Sequence, residues 1–283
     1  MKKTMICAAV FLLAVATVLT NKAYCETPED YYKSGVELYD HNRFGDALTE
    51  FEKAIKQDPG YAPAYFKTGC VYVILNRFQE AVDYFKKAIE LNPGFSAAYQ
   101  AMGEAYYSMG NRELAIASFE KAISINPGFF IPYNSLADIY VSDNKLDQAV
   151  PFLEKALQIN PYDYYANYKL GKIYLKLAKY QDAIKYFQRT SQINLRFAGA
   201  YFDTGVAYNM LNDAQQALLY FREALNQDPS YADAYYEAGV AHNKLGQFKE
   251  ARENLIKAED LYKLKEDQIG ARKAKEALSK ISR

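Results

Sequence analysis

Few residues of this sequence have the types and spacing that catalysis or metal binding requires. A catalytic site needs a nucleophile beside a general base, and a metal site needs ligands at defined intervals. The 283-residue chain has two histidines, His41 and His242, near its opposite ends, and no glycine-rich phosphate loop. Adjacent acids such as Glu29 and Asp30 point to different faces of a helix and suit a helix start. We therefore predict no enzyme activity, no catalytic residues, no metal site and no cofactor.

Composition and charge restrict the partners. Half of the residues are hydrophobic and 15% are aromatic, with 14 Gly and 9 Pro, so the chain can bury a sizeable core. The formal net charge is zero, which gives no basic surface for nucleic acid. We predict a folded protein that does not bind nucleic acid.

The first 25 residues have the layout of a secretory signal. Lys2 and Lys3 precede an apolar run at residues 5–19, and a small-x-small site ends at Cys25. We expect cleavage after Cys25 and an exported protein, periplasmic or secreted. An uncleaved anchor is the alternative, and membrane association would then come through it or through a partner. A lipoprotein is disfavoured because the bulky Tyr24 precedes Cys25.

Cleavage would leave 31 basic and 34 acidic residues, a net charge of −3. Cys70 would be the only remaining cysteine, so no intramolecular disulfide could form. Two interpretations of Cys70 stay open, a reactive thiol and a small side chain that fills space.

A 34-residue period organises the rest of the sequence. The octapeptide AIELNPGF at residues 88–95 returns as AISINPGF at residues 122–129, and related octapeptides begin at 54, 156, 190 and 224. The register predicts seven units, which are residues 28–61, 62–95, 96–129, 130–163, 164–197, 198–231 and 232–265. Such a period indicates supersecondary units that bury their apolar sides by stacking.

Each unit reads as two helices. The fourth, eighth and eleventh positions share a helical stripe, which places eleven tyrosines and His242 in the predicted core. The eighth position is Gly except for Ala137, and the twentieth is Ala in every unit, so the helices can approach closely. A second helix follows, and Pro at the thirty-second position stops it in most units.

The pattern of the second unit is typical: Tyr65, Gly69, Tyr72, Ala81, Phe85, Ala88 and Pro93. With these residues the chain resembles the tetratricopeptide repeat family from position 28 to position 265. The resemblance implies an all-α fold, a right-handed α-solenoid of seven helix pairs. It also implies that the first helices line a concave groove that receives a segment of another protein or a peptide.

The C-terminal segment, residues 266–283, resembles the last helix that caps such arrays. Its apolar or small residues recur at helical spacing: Ile269, Ala274, Ala277, Leu278 and Ile281. A basic partner-binding tail is the alternative.

The fourth and fifth units depart from the pattern. The fifth has Asn167 for the aromatic, Thr190 for Ala and Leu195 for Pro, and the fourth carries Pro151 inside its second helix. Pro151 predicts a kink. A static irregularity is one interpretation, and a hinge between units four and five is the other.

By the resemblance, the fifth, ninth and twelfth positions face the groove, and we call them the groove stripe. The residues that we predict to contact a partner are Tyr32, Val36, Tyr39, Phe66, Val73, Tyr107, Tyr168, Lys172, Phe202 and Tyr236. The stripe is apolar at its ends and polar in the middle, which favours a hydrophobic or aromatic segment anchored by Phe66 and Phe202. Alternatively, these rings pack against neighbouring helices.

The predicted function is a non-catalytic scaffold or adapter of the cell envelope. A glycan- or cell-wall-binding module that uses the stripe aromatics is the alternative, although the chain has no Trp. A clamp for a chaperone's C-terminal carboxylate is disfavoured, because the resemblance would require Lys and Asn where this chain has Tyr32 and Val36.

Overall fold

The computed structural model describes residues 26–281. The predicted secretory signal lies outside the described residues. Within them the chain forms fifteen α-helices and no strand, which confirms the all-α solenoid of helix pairs. None of these helices combines the length and the apolar character needed to cross a membrane.

The helices alternate along the chain in the order that the period predicts. The first helices of the seven repeats are α1 (Pro28–Asp40), α3 (Ala62–Ile74), α5 (Ser96–Ser108), α7 (Phe130–Ser142), α9 (Tyr164–Lys176), α11 (Ala198–Met210) and α13 (Ala232–Lys244). The second helices are α2 (Phe44–Gln57), α4 (Phe78–Leu91), α6 (Arg112–Ile125), α8 (Leu146–Ile159), α10 (Tyr180–Ile193), α12 (Ala214–Gln227) and α14 (Phe248–Leu264), and α15 (Gln268–Ser279) follows.

The chain divides into two compact units. The first ends at Asn126 and contains α1 to α6, which are the helix pairs of repeats one to three. The second begins at Pro127 and contains the remaining four pairs and α15.

Small residues and one large apolar side chain form the centre of each repeat. Ala at the twentieth position is fully buried in all seven repeats, and so is the residue at the twenty-seventh position, which is Ala or Thr190. The twenty-fourth position holds Phe in five repeats and Leu in two, and it is also buried. This arrangement gives each helix pair a compact interface of the density typical of protein interiors.

The glycine at the eighth position is required by that ring. A Cβ on Gly69 would lie 2.6 Å from Cε1 of Phe85, and a Cβ on Gly171 would lie 2.6 Å from Cε1 of Phe187. Both distances are far below van der Waals contact. In the fourth repeat Ala137 stands at the eighth position and Leu153 replaces the ring. The side chain at the twenty-fourth position therefore limits the eighth position to Gly or Ala.

Two kinds of turn set the length of the helices. The fifteenth position lies in the left-handed region in every repeat, where Asn and Gly are favoured; repeat five has Ala178 there, with φ of 56°. In repeats one to six an Asp or Asn stands at the thirty-first position, and its side chain can accept a hydrogen bond from the backbone two residues on; in repeat one, Gly60 N donates to Asp58 Oδ1 (2.8 Å). This Asx turn ends the second helix.

The tyrosines predicted to lie in the core are less buried than expected. Of the eleven, only Tyr106 and Tyr133 are buried, and the others keep part of the ring in solvent. In four repeats the ring at the eleventh position stacks on a ring at the twenty-third, as Tyr72 does on Tyr84 with centroids 5.2 Å apart. Stacking leaves the outer ring edges accessible to solvent. The prediction that these tyrosines are core residues therefore overestimated their burial.

The departures of repeats four and five are accommodated without breaking an element. Asn167 is buried, and its Nδ2 donates to Asp163 O (2.9 Å). Thr190 Oγ1 donates to Tyr186 O (2.9 Å), and α8 continues through Pro151. Leu153 of α8 and Leu170 of α9 belong to one buried cluster. This shared core favours the static interpretation over the hinge.

Helix α15 covers the end of the second unit. Ala274 is buried in a cluster with Leu261 and Tyr262, and Ile281 is buried beside Leu255. Ile269 is wrongly predicted as part of the apolar face, because it lies in the first turn and is 61% exposed.

Candidate functional site

Most first helices differ from most second helices in how apolar residues are distributed around them. Second helices such as α4 and α10 are strongly amphipathic, with one buried face and one polar face. Helices α3, α7 and α11 carry apolar residues around most of their circumference. The additional apolar residues of the first helices include those of the groove stripe. The stripe is therefore the candidate binding surface.

Aromatic residues at the fifth position make the same two contacts in four repeats. Phe66 packs against Phe85 of the second helix and against Phe95, the last residue of its repeat and the N-cap of α5, with ring centroids 5.8 and 4.8 Å apart. The corresponding rings in repeats one, five and six are Tyr32, Tyr168 and Phe202. All four are half-buried. These rings hold adjacent repeats together and still present an edge to solvent.

Repeat four replaces this aromatic contact with a polar one. Asn134 stands at the fifth position, and its Nδ2 donates to Asp163 Oδ2 (2.7 Å). Asp163 occupies the thirty-fourth position, where repeats one, two, three, five and six have an aromatic residue. The hydrogen bond between the amide and the carboxylate thus joins the fifth and thirty-fourth positions, which a contact between two rings joins in repeats one, two, five and six.

In the first unit the stripe is mainly apolar. Val36, Tyr39 and Val73 are half-buried, and Tyr107 is exposed. Tyr39 packs on Phe44 with ring centroids 5.7 Å apart, and a lysine of the next repeat lies over its ring. The stripe of this unit offers apolar and aromatic surface.

Cys70, at the ninth position of repeat two, belongs to the same stripe. Burial raises the pKa of its thiol to about 11. The thiol is therefore protonated at neutral pH, which disfavours nucleophilic reactivity. This finding favours the space-filling interpretation.

In the second unit, charged residues of neighbouring first helices pair across the stripe. Lys169 Nζ lies 2.7 Å from Asp138 Oδ1, and Lys172 Nζ lies 3.3 Å from Asp203 Oδ1. The hydroxyl of Tyr168 donates to Asp203 Oδ2 (2.6 Å). Burial, strengthened by the Asp203 carboxylate, raises the pKa of Tyr168. The pairs join the ninth position of one repeat to the sixth of the next.

The sixth-position partners in these pairs, Lys169 and Asp203, were not predicted, because only the fifth, ninth and twelfth positions were assigned to the groove. Asp203 lies one helical turn before the stripe residue Val206 and is nearly fully buried. A search for opposite charges at the ninth position of one repeat and the sixth of the next would have found both pairs.

The stripe of the second unit ends beside α15. Tyr236 packs near Leu255 and Ile281, and a cavity of about 270 Å³ lies between them. Val240 and Lys273 also line this cavity. The last part of the stripe is thus bordered by the C-terminal helix.

Each of the two histidines considered as catalytic or metal-binding residues contacts an oxygen atom of a residue close to it in the sequence. His41 Nδ1 lies 2.7 Å from Glu37 O, and His242 Nδ1 lies 2.6 Å from Gln247 Oε1. Within the described part of the chain, no group of three or more His, Cys, Asp or Glu side chains is placed to hold a metal ion.

Known proteins resemble this chain in both sequence and fold. Three models of the family described as tetratricopeptide repeat match residues 32–94, 96–129, and 140–201 with 210–260. No curated protein matches the chain in sequence.

Several solved structures share the fold. YrrB, described as a TPR protein with an unusual peptide-binding site, is 30% identical, with a TM-score of 0.60 over 68% of this chain and 97% of its own. PilF of Pseudomonas aeruginosa is 16% identical, with a TM-score of 0.63 over 76% and 96%. The C-terminal part of a TPR repeat-containing protein from Cytophaga hutchinsonii is 17% identical, with a TM-score of 0.62 over 89% and 95%.

Proposed function

Because this chain belongs to the tetratricopeptide repeat family, we propose that it is a scaffold that binds a segment of a partner protein along the groove stripe. The family fold is a general protein-interaction scaffold, and the similar protein YrrB is described as having a peptide-binding site. The observation that carries the proposal is the apolar stripe of the first helices, which lies outside the core and remains partly exposed.

The two units offer different chemistry to a partner. In the first unit, Val36, Tyr39 and Val73 favour an apolar or aromatic segment. In the second unit, Lys172 stays 43% exposed although it pairs with Asp203, so it can also contact a polar or acidic group. We treat each unit as a binding surface in its own right.

Export to the cell envelope is the second part of the proposal. It rests on the charge and apolar pattern of residues 1–25. Intact-mass measurement of protein recovered from an envelope fraction tests it. A mass that begins at Glu26 supports a cleaved signal. A mass that includes residues 1–25 identifies an anchor, and recovery only from the cytoplasm contradicts export.

Stripe variants must be chosen so that they leave the folding contacts intact. Phe66 and Phe202 are poor choices, because each ring packs on two others and its removal would weaken the repeat. Val73 and Val240 are stripe residues that belong to no such ring contact. Leu114 and Leu219 are exposed on second helices and serve as matched controls.

The experiment selects peptides from a displayed library on the wild-type protein and measures their affinity for each variant. We expect selected peptides to be rich in aromatic residues. Val73→Glu should weaken the binding of peptides that occupy the first unit at least about tenfold, and Val240→Glu should do so for the second unit, because burying one apolar anchor contributes roughly 1.5 to 3 kcal/mol. Leu114→Glu and Leu219→Glu should leave affinity unchanged.

The control measurement is a circular dichroism melt of every variant. Peptides that lose affinity only with the second-helix variants would place the site elsewhere. Selective binding of cell-wall glycan fragments, with no peptide binding, would favour the glycan-binding alternative.

A further inference from the structure

A cleft of about 620 Å³ opens in the second unit between the second helices α8 and α10. Asn167 of α9 lies at its base, Leu157 and Pro161 line one side, and Tyr186 and Arg189 line the other. The cleft contains no residue of the groove stripe. It is therefore separate from the surface proposed above.

Asn167 occupies a position that is Tyr in the other six repeats. Repeats one and two show what surrounds that tyrosine. Tyr65 lies beside Tyr84 with ring centroids 6.3 Å apart, and Lys53 Nζ lies 5.4 Å above the ring of Tyr31. The fourth-position ring thus lies close to the twenty-third residue and close to a cation at the twenty-sixth.

Repeat five has both neighbours but lacks the ring. Tyr186, at the twenty-third position, stacks on Tyr174 with centroids 5.5 Å apart, and Arg189 is at the twenty-sixth. Both residues line the cleft. The side chain of Asn167 is short, and its Nδ2 is bonded to Asp163 O. Tyr162 does not fill the space either: Arg189 lies over its ring, but Tyr162 is 70% exposed.

We propose that this cleft binds a tyrosine side chain of a partner protein, in the place that the fourth-position tyrosine has in the other repeats. The ring would contact Tyr186 and the guanidinium of Arg189, which favour an aromatic partner through ring contact and cation–π attraction. The cleft is distinct from the groove stripe, so binding of a tyrosine in the cleft does not depend on binding along the stripe.

The polar lining explains why the occupant is a tyrosine on a polypeptide. Gln158 and Gln192 accept hydrogen bonds from Lys155 and Arg189 through their Oε1 atoms, which leaves their amide NH2 groups as donors. These donors suit the carbonyls of a partner's backbone. The cleft is open and larger than one ring requires, which leaves room for the residues that flank it. A polar lining also suits a phenol better than a phenyl ring.

Binding of a short synthetic peptide tests the proposal. Acetyl-Gly-Gly-Tyr-Gly-Gly-amide is titrated into the isotope-labelled protein, and amide shifts are followed by NMR. We expect saturable shifts at the Asn167 side chain and along α10. The same peptide with Ala in place of Tyr should cause none. The Tyr peptide should bind at least tenfold more weakly to Asn167→Tyr, because the protein's own ring then fills the site.

Two further variants make the result specific. Asn167→Leu fills part of the space without a ring and should also weaken binding. Tyr65→Asn makes the converse change in repeat two, which has Tyr84 and Lys87 at the twenty-third and twenty-sixth positions, and the Tyr peptide should then also shift residues of α4. Melts by circular dichroism show whether each variant is folded.

Three results would overturn the proposal. They are the absence of shifts at Asn167 in the wild-type protein, binding that survives in a folded Asn167→Tyr variant, and equal binding of the Ala peptide. Saturable binding of p-cresol without binding of the peptide would also overturn it, because the site would then take a small phenol rather than a partner protein.

Discussion

Repeats two and five share one backbone design but differ in how completely their side chains fill it. Both have Gly at the eighth position against a buried Phe, and both have a fifth-position ring packed on two others. Repeat two has Tyr65 at the fourth position and Asn76 at the fifteenth. Repeat five has Asn167 and Ala178 at the same places.

The comparison shows which positions tolerate change. Where repeat five places a polar side chain in the interior, a nearby carbonyl accepts its hydrogen bond, as with Asn167 and Thr190. A buried polar group that has a partner costs little. What cannot be replaced is volume, so the lost tyrosine ring leaves a cleft beside Tyr186. Within repeat five, hydrogen bonds to nearby carbonyls compensate for the buried polar side chains, but no side chain fills the volume of the missing ring.

The largest effect is expected from filling the eighth position. Gly69→Val and Gly171→Val should each destabilise the protein by about 3 kcal/mol, because the new side chain would overlap the ring of Phe85 or Phe187. Gly103→Val should behave in the same way. Chemical denaturation followed by circular dichroism measures the loss.

Gly45→Val is the matched control, because nothing lies within 4 Å of a Cβ at that position. The control should change stability by less than about 0.5 kcal/mol. A mild effect of Gly171→Val beside a severe effect of Gly69→Val would show that the cleft lets α9 move, and the two repeats would then differ in rigidity as well as in volume.

A smaller difference between repeats two and five should appear in their contribution to the free energy of unfolding at high pH. Burial first, and the Asp203 carboxylate second, raise the pKa of Tyr168 and of Tyr231, whereas repeat two has Phe66 in the place of Tyr168. Tyrosine ionises near pH 10 in an unfolded chain and later in the folded protein. The unfolded state therefore binds fewer protons above about pH 10, and the free energy of unfolding falls as pH rises.

Asp203→Asn should make this alkaline loss shallower, because it removes the negative charge next to both phenols. Asp138→Asn is the control, since it removes a carboxylate that pairs with Lys169 only. Denaturation midpoints at pH 8, 9, 10 and 11 give the comparison. Equal slopes for the two variants would contradict the assignment of the alkaline loss to this contact.

The smallest effect is expected at the fifteenth position. Ala178→Asn should stabilise the protein by about 0.5 to 1 kcal/mol, because a left-handed backbone is less costly for Asn than for Ala. The reciprocal change Asn76→Ala should lose about as much. Thermal melts of both single variants and of the double variant measure these changes in stability. A loss on Ala178→Asn would mean that contacts of the Ala methyl group outweigh the backbone cost.

The sequence predicted the helices well because their determinants recur. Proline at the thirty-second position, Ala at the twentieth and Gly at the eighth are local signals that the period repeats. Burial of the fourth- and eleventh-position tyrosines was overestimated, because the alignment does not show that rings such as Tyr72 and Tyr84 stack with open edges.

The contacts within the groove stripe were only partly predictable. Whether Phe66 packs on its neighbours depends on Phe95, which lies in the next turn and outside the stripe. A signal was available, since an aromatic fifth position goes with an aromatic thirty-fourth in four repeats, and repeat four pairs Asn134 with Asp163. The cleft required the structure, because the substitution of Asn167 does not reveal whether neighbouring side chains close over the space.

The close contact between the eighth and twenty-fourth positions also orders the steps by which copies of one ancestral unit can diverge. Adding a methyl group to the Gly first would press it against the ring, so that intermediate would fold poorly. Exchanging Phe for Leu first gives a viable intermediate, and repeat seven has this state with Gly239 and Leu255. Repeat four has the later state, Ala137 with Leu153. A Cβ on Gly239 would still lie 2.7 Å from Leu255 Cγ, so the step from Gly to Ala also requires the leucine to move. Duplicated units can therefore change at the twenty-fourth position before they change at the eighth.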